Sequence, residues 1–77
     1  MIEYVNVFRK NPSNIVIKVS LIQPIAGRYV ANVKGKYGNF IVQGTRKTQV
    51  IADVIRKIND IQDRLGESYS YLLEVTY

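Results

Sequence analysis

Cysteine, histidine and tryptophan are absent from this chain of 77 residues. Without cysteine there can be no disulfide, and without cysteine and histidine the thiolate and imidazole ligands of most transition-metal sites are missing. Nucleophilic Ser-His and Cys-His pairs are excluded for the same reason. We therefore expect a protein without enzymatic activity, without a cofactor and without a metal site.

Acidic residues are scarce, with six Asp and Glu in the chain. A general acid/base pair needs two carboxylates in different environments around a cleft, and the sequence predicts no such pair. Asp60 and Asp63, three residues apart, are the only candidates for holding Mg²⁺. A solvated helix surface is the better interpretation of both.

Long apolar segments are also missing. Residues 19–27 form an uncharged run, but the run contains Pro24 and is too short to span a membrane. The N-terminal residues lack the basic segment that precedes the apolar core of a signal peptide. We expect no membrane partner and a cytoplasmic location, which includes the host cytoplasm if the protein is viral or plasmid-encoded.

The length predicts one small domain, residues 1–77, because a core of this size cannot be divided between two domains. A domain this small gains stability from a second copy, and pairing through a sheet edge is the simplest route. We therefore expect a homodimer.

Positive charge is unevenly distributed along the chain. Residues 4–52 contain eight Lys and Arg and no acidic residue, whereas residues 53–77 contain three basic and five acidic residues. Such asymmetry within one domain gives a directional field, which is typical of proteins that bind polyanions. The net charge of +5 has the same sign.

Alternating apolar and polar residues predict strands at residues 2–10, 14–22, 28–34, 39–44 and 68–77. Proline or glycine predicts turns at residues 11–14, 23–27 and 35–38. A helix is predicted between the fourth and fifth strands. The fold class is therefore α+β, an antiparallel sheet with one long helix on one face, in the order β-β-β-β-α-β.

The helix is predicted from Thr45 onward, where apolar residues recur at spacings of three and four. Its apolar face would contain Val50, Ile51, Val54, Ile55, Ile58, Ile61 and Leu65. Thr45 or Thr48 should cap the N-terminus, and Gly66 should end the helix in a left-handed conformation. Ion pairs at i, i+4 are expected on the other face, at Asp53–Lys57, Arg56–Asp60 and Asp60–Arg64.

Two groups of cations are candidate phosphate sites. The first is Arg46 and Lys47, which lie in the first turn of the predicted helix, where acidic residues are usual. Backbone N–H groups at a helix start favour anions, so these cations predict a phosphate site. The preceding Gly38 and Gly44 are one residue too far apart for a Walker loop, so hairpin and cap roles are the better interpretation.

The second group lies on the outward face of the third strand and beside it, at Arg28, Asn32, Lys34, Lys18 and Lys36. Lys and Arg neutralise phosphates, and Asn and Arg can also read base edges. Tyr37, or alternatively Tyr4 and Phe8, could stack on bases. The simpler interpretation is that these lysines keep an exposed sheet soluble.

Residues 14–61 resemble the small HicB-like antitoxin domain. The matching residues are Gly27, Tyr29, Val30, Ala31, Gln43 and Gly44. The resemblance implies three strands, a helix and a further strand, and a toxin as the partner. This chain has Arg46 and Lys47 where that family has an acidic helix start, so the resemblance does not identify the toxin.

Residues 28–58 are also similar in layout to the β-β-β-α DNA-binding domains of the AP2 and integrase arm-binding type, whose sheets enter a DNA groove. The resemblance implies that Arg28, Asn32 and Lys34 face DNA. The predicted fifth strand is foreign to that layout.

These observations predict a small, basic, non-enzymatic nucleic-acid-binding protein, with DNA favoured over RNA. The predicted site residues are Lys18, Arg28, Asn32, Lys34, Lys36, Tyr37, Arg46 and Lys47. Four to six phosphate contacts would give a log–log salt slope of about −4 to −5 on duplex DNA. The alternative is a protein-binding module, such as an antitoxin or a viral inhibitor, that acts on an acidic protein partner.

Overall fold

A computed structural model describes the whole chain, Met1–Tyr77, as a five-stranded sheet with one helix. The elements are β1 (Ile2–Val7), β2 (Asn11–Ile25), β3 (Arg28–Gly35), β4 (Gly38–Gly44), α1 (Lys47–Arg64) and β5 (Tyr69–Thr76). Across the sheet the strands are arranged β1-β5-β2-β3-β4. The prediction of an α+β fold in the order β-β-β-β-α-β is confirmed.

One strand pair departs from the predicted antiparallel sheet. β5 lies between β1 and β2, antiparallel to β1 and parallel to β2. The direction follows from the connections. Since β2 and β4 each pair antiparallel with β3, they run the same way, and α1 returns the chain so that β5 enters the sheet in that direction as well.

The core lies between α1 and one face of the sheet. Its eleven buried apolar residues are Ile17, Val19 and Leu21 of β2, Ala31 and Val33 of β3, Tyr71, Leu73 and Val75 of β5, and Val50, Val54 and Ile58 of α1. Each strand contributes alternate residues, as expected for a sheet with one buried face. The inward residues predicted for the second and third strands are confirmed.

The buried stripe of α1 differs from the prediction at its C-terminal end. Leu65 is 61% exposed, whereas Gln62 is fully buried in line with Val54 and Ile58. Leu65 lies outside the core because α1 ends at Arg64. Spacing in the sequence identifies the stripe but does not show which polar residue extends it.

The two ends of α1 also differ from each other. Arg46 occupies the N-cap position without a side-chain cap hydrogen bond, so the predicted caps Thr45 and Thr48 are wrong. At the other end Gly66 has a φ of +71°, as predicted. The backbone N–H groups of Gly66 and Glu67 donate to the carbonyls of Asp63 and Gln62, which satisfies two carbonyls at the helix end.

The predicted ion pairs at i, i+4 on α1 are absent. The only ion pair within the helix joins Asp53 to Arg56, three residues apart. A second helix carboxylate, that of Asp63, pairs with Arg9 from outside the helix, with 2.9 Å between Nη2 and Oδ1. The long-range partner could not be predicted from helical spacing.

β2 is longer than predicted. It takes in the predicted turn at residues 11–14 and most of the predicted break at residues 23–27. Its pairing is irregular at both places, between Asn11 and Ile15 and between Ile22 and Ile25. Each irregular segment contains a proline, Pro12 or Pro24, and irregular positions are where a strand accommodates a residue without an N–H group.

The hairpin between β3 and β4 has a two-residue turn, Lys36 and Tyr37, because Gly35 pairs with Gly38. Gly38 has a φ of +97°, in the region that favours glycine. The turn sets the register of β4 and directs Phe40 toward the helix. No helix in the structure is both long and apolar enough to span a membrane.

Candidate nucleic-acid interface

The sheet face opposite α1 is covered by no other element, and we call it the open face. Strand pairing arranges its side chains in rows across the sheet. The rows are Asn6–Leu72–Val16, Tyr4–Glu74–Lys18–Lys34–Asn39, Ile2–Thr76–Ser20–Asn32–Ile41 and Ile22–Val30–Gln43. The open face therefore combines cations, amides and partly exposed apolar side chains.

Two lysines lie directly opposite each other in the second of these rows. Lys18 of β2 pairs with Lys34 of β3, and side chains of such a pair begin about 5 Å apart. No carboxylate lies within ion-pair distance of either lysine, although Glu74 is the neighbour of Lys18 on β5. Like charges directly opposite on a sheet are destabilising, so this pair costs stability that a bound phosphate would recover.

Arg28 and Asn32 extend the positive surface along β3. Both side chains lie on the same face as Lys34 because the three positions are separated by even numbers of residues. The Arg28 guanidinium donates to Gln43 Oε1 at 3.4 Å and has no acidic partner. From Arg28 to Lys34 the strand advances about 20 Å. The structure thus brings four predicted site residues, Lys18, Arg28, Asn32 and Lys34, onto one surface.

Tyr37 is predicted to stack on bases, but its side chain is half-buried and bonds near the C-terminal end of α1. Its hydroxyl accepts a hydrogen bond from Gln62 Nε2 at 3.0 Å and donates to Glu67 Oε2 at 3.3 Å. Burial raises the pKa of Tyr37. Because both its hydroxyl and its ring are engaged within the protein, Tyr37 belongs to the supporting structure of the hairpin rather than to an exposed surface.

Lys36 lies next to Tyr37 at the same end of the sheet. Its ammonium is 5.8 Å from the centre of the Tyr37 ring and 5.9 Å from that of Tyr69. Tyr37 bonds to Gln62 near the C-terminal end of α1, whereas Arg46 and Lys47 lie at its N-terminal end. A helix of 18 residues is about 27 Å long. Lys36 therefore does not share a site with the helix start.

Lys47 has partners that are distant in the chain but close in space, on the helix side of the sheet. Its ammonium lies 3.7 Å from Glu3 Oε2 and 3.8 Å from the centre of the Tyr77 ring. The Tyr77 hydroxyl, followed by the charge of Glu3, raises the pKa of Lys47. Glu3 pairs with buried Val75, which places this cluster on the side opposite Lys18. The predicted phosphate site at Arg46 and Lys47 is therefore separate from the open face.

A buried polar cluster that the sequence did not predict surrounds Gln62. Its Oε1 accepts from Arg9 Nη1 at 2.9 Å and from the Tyr69 N–H at 3.0 Å. Its Nε2 donates to the Tyr37 hydroxyl at 3.0 Å and to the Tyr69 carbonyl at 3.1 Å. Arg9 also pairs with Asp63, so one cation of the basic segment is neutralised. A glutamine at the i+4 position after Ile58 is the sequence signal for this cluster.

Aromatic side chains are available at the open face in place of Tyr37. Tyr4, the alternative stacking residue, lies on β1 in the same row as the lysines and is 59% exposed. Phe8 follows β1, is 84% exposed, and lines a groove of about 500 Å³ with Asn6, Val16 and Leu72. Neither ring makes a cation contact within the protein.

No protein-family model, curated protein or solved structure matches this chain. The resemblances to HicB-like antitoxins and to β-β-β-α DNA-binding domains therefore remain predictions. The sheet also differs in one respect from a three-stranded DNA-binding sheet, because β5 and β1 continue it beyond β2.

Proposed function

We propose that this protein is a non-enzymatic nucleic-acid-binding domain that holds a single strand across its open face. The observation that supports the proposal most strongly is the cross-strand pair of Lys18 and Lys34, which has no carboxylate partner on an uncovered sheet face. Phosphates would bind this pair and Arg28. Asn32 lies between Arg28 and Lys34 on β3, and its side-chain amide would donate hydrogen bonds to base edges and accept hydrogen bonds from them.

The width of the sheet favours a single strand over a duplex. Five strands give four spacings of about 4.8 Å, or about 19 Å in total. The major groove of B-DNA is about 12 Å wide and admits a helix or a two-stranded ribbon. The open face is too wide to enter it, whereas single strands bind well to flat sheets that offer cations for phosphates and rings for bases.

The aromatic residues complete this mode of binding. Tyr4 and Phe8 lie on the β1 side of the sheet, and Arg28 and Lys34 lie on β3. A strand that crosses from one side to the other would place bases on the rings and phosphates on the cations. Stacking is available to DNA and RNA alike. DNA is the first probe, and an RNA oligonucleotide of the same length is the second.

The experiment compares two variants of equal charge by fluorescence anisotropy with a labelled oligonucleotide. Lys18→Glu with Lys34→Glu reverses the open-face pair. Lys57→Glu with Arg64→Glu reverses two cations of α1 that form no ion pair, although the Lys57 ammonium lies 5.4 Å from the centre of the Phe40 ring. Each double variant lowers the net charge from +5 by four, to +1.

We expect the open-face variant to lose at least tenfold in affinity and the helix variant to stay within about twofold of the wild-type protein, since screening by salt limits the effect of remote charges. Circular dichroism spectra would confirm that both variants fold. Equal losses in the two variants would reduce the effect to net charge and would contradict a site on the open face.

The alternative function is a protein-binding module for an acidic partner. It is supported by the isoleucines that the open face exposes, Ile2, Ile22 and Ile41, because exposed apolar side chains next to cations also suit a protein interface. Ile22→Ser distinguishes the two. The substitution should lower the affinity for a protein partner and leave the affinity for the oligonucleotide unchanged, because Ile22 lies away from the lysine pair.

A further inference from the structure

The outer edge of β4 is unprotected. β4 is the last strand of the sheet: it pairs with β3 on one side, and no element pairs with its other edge. Natural edge strands avoid unwanted pairing by means of charged residues, proline, bulges or a covering segment. The segment from Gly38 to Thr45 contains no charged residue and no proline, and the pairing of β4 with β3 is regular throughout.

The opposite edge of the sheet is different. β1 is six residues long and includes Glu3, whose carboxylate points to the helix side and lies 3.7 Å from Lys47 Nζ. An inward-pointing charge on an edge strand is one of the known protective devices. The two edges are therefore unequal, and β4 is the one suited to accept another strand.

The two-residue turn determines which backbone groups β4 offers. In such a hairpin the residues that flank the turn, Gly35 and Gly38, form a hydrogen-bonded pair, and this pairing recurs at every second residue. Phe40 and Val42 therefore bond inward to β3. The N–H and carbonyl groups of Asn39, Ile41 and Gln43 point outward from the sheet.

We propose that β4 pairs with β4 of a second copy of this chain, antiparallel and centred on Ile41. This register places Ile41 opposite Ile41 of the second copy and Asn39 opposite Gln43, so that all the outward groups form about six hydrogen bonds. It also brings into contact two isoleucine side chains that are 60% exposed in the single chain. Asn39 and Gln43 meet as two amides, and no like charges become opposed.

This register is the one in which every outward backbone group of β4 has a hydrogen-bond partner on the second copy. A shift by two residues in either direction would leave one of the outward residues on each copy without a partner. A shift by one residue would place outward groups opposite inward ones. The dyad through Ile41 is perpendicular to the sheet, so both helices lie on one side and both open faces on the other. The dimer is inferred independently of the nucleic-acid proposal, although it would join two such faces.

Disulfide trapping tests the register directly, because the chain contains no cysteine. In a hydrogen-bonded antiparallel pair the Cα atoms are about 5.5 Å apart, which is within the range that a disulfide spans. Ile41→Cys should form a covalent dimer in a glutathione redox buffer. Tyr4→Cys, on the other edge strand, and Val16→Cys, in the open face, are the matched controls and should remain monomeric on a non-reducing gel.

Sedimentation of the wild-type protein gives the second readout. We expect a mass of about 17.6 kDa, twice the 8.8 kDa of the chain, at high micromolar concentration. Ile41→Pro should return the mass to that of a monomer with an unchanged circular dichroism spectrum, because the lost N–H points away from β3. A monomer at every concentration up to millimolar would overturn the proposal. Faster trapping of Tyr4→Cys or Val16→Cys than of Ile41→Cys would overturn it as well.

Discussion

Replacing Gln62 by alanine is expected to destabilise the protein strongly, because this residue connects four parts of the chain. The substitution removes four hydrogen bonds, to Arg9, Tyr37 and both backbone groups of Tyr69. A hydrogen bond contributes about 0.5–1.5 kcal/mol net, and a buried group left without a partner costs more. We therefore expect the free energy of unfolding to fall by about 3–5 kcal/mol.

This loss is a large fraction of the total free energy of unfolding. At about 0.05–0.15 kcal/mol per residue, a chain of 77 residues has a free energy of unfolding of about 4–12 kcal/mol. Urea denaturation followed by circular dichroism measures the change, and an unchanged m-value would show that the two-state comparison is valid. Gln49→Ala is the matched control, since Gln49 is on the same helix, is exposed, and bonds only to Asp53.

A second variant separates hydrogen bonding from packing. Gln62→Met keeps most of the side-chain volume but leaves the Tyr69 N–H and carbonyl without partners. We expect it to be destabilised by about 2–3 kcal/mol, since two buried polar groups lose their bonds. If Gln62→Ala cost no more than Gln49→Ala, or if Gln62→Met were as stable as the wild-type protein, the assigned role of the cluster would be refuted.

Three further predictions concern stability. Gly44→Ala should lower the free energy of unfolding by about 1–3 kcal/mol, because the added Cβ would lie 2.9 Å from Cγ2 of buried Val50. Gly35→Ala, whose Cβ would meet an ordinary contact at 3.4 Å, should be neutral or stabilising by up to about 1 kcal/mol. Equal losses of stability for the two variants in urea denaturation would contradict this prediction. Burial raises the pKa of Tyr71 to about 12. The unfolded state therefore loses this proton first, and the free energy of unfolding should fall by about 1.4 kcal/mol between pH 8 and pH 11, a loss that Tyr71→Phe should remove from its own pH profile. Lys34→Thr should stabilise the protein by about 0.2–1 kcal/mol, because it removes one lysine of the cross-strand pair. A destabilised variant would show that the pair is not repulsive.

Local patterns in the sequence predicted much of the fold. The alternation in residues 14–22 and 28–34 identified the inward residues of β2 and β3, because successive side chains of a strand point to opposite faces of the sheet. Gly66 was predicted as the helix terminator because positive φ favours glycine. These features depend on residues that are neighbours in the chain.

Features that depend on distant residues were not predicted. Arg9 reaches Gln62, 53 residues away, and Lys47 reaches Glu3, so two cations of residues 4–52 have partners that the sequence does not predict. Tyr37 lies in the hairpin turn, as predicted, but nothing local in the sequence shows that its hydroxyl bonds to Gln62 and Glu67. The direction of β5 depends on where the helix returns the chain, which neither periodicity nor composition determines.

The same distant contacts refine the candidate site. Of the six cations predicted to contact phosphates, Lys18, Arg28 and Lys34 share the open face. Lys36, Arg46 and Lys47 lie at the ends of the domain or behind the sheet. The electrostatic contribution expected from the site is correspondingly smaller than the sequence alone predicts.

The salt dependence of binding tests the proposed function most directly. With three phosphate contacts on a single strand, the slope of log affinity against log salt concentration should be about −2, from about 0.7 per contact. The measurement is an anisotropy titration of the wild-type protein and of Lys34→Ala at several concentrations between about 50 and 200 mM salt. We predict a slope near −2 for the wild-type protein and a less negative slope, by about 0.7, for Lys34→Ala. A slope near zero, or a slope that Lys34→Ala leaves unchanged, would contradict phosphate binding on the open face.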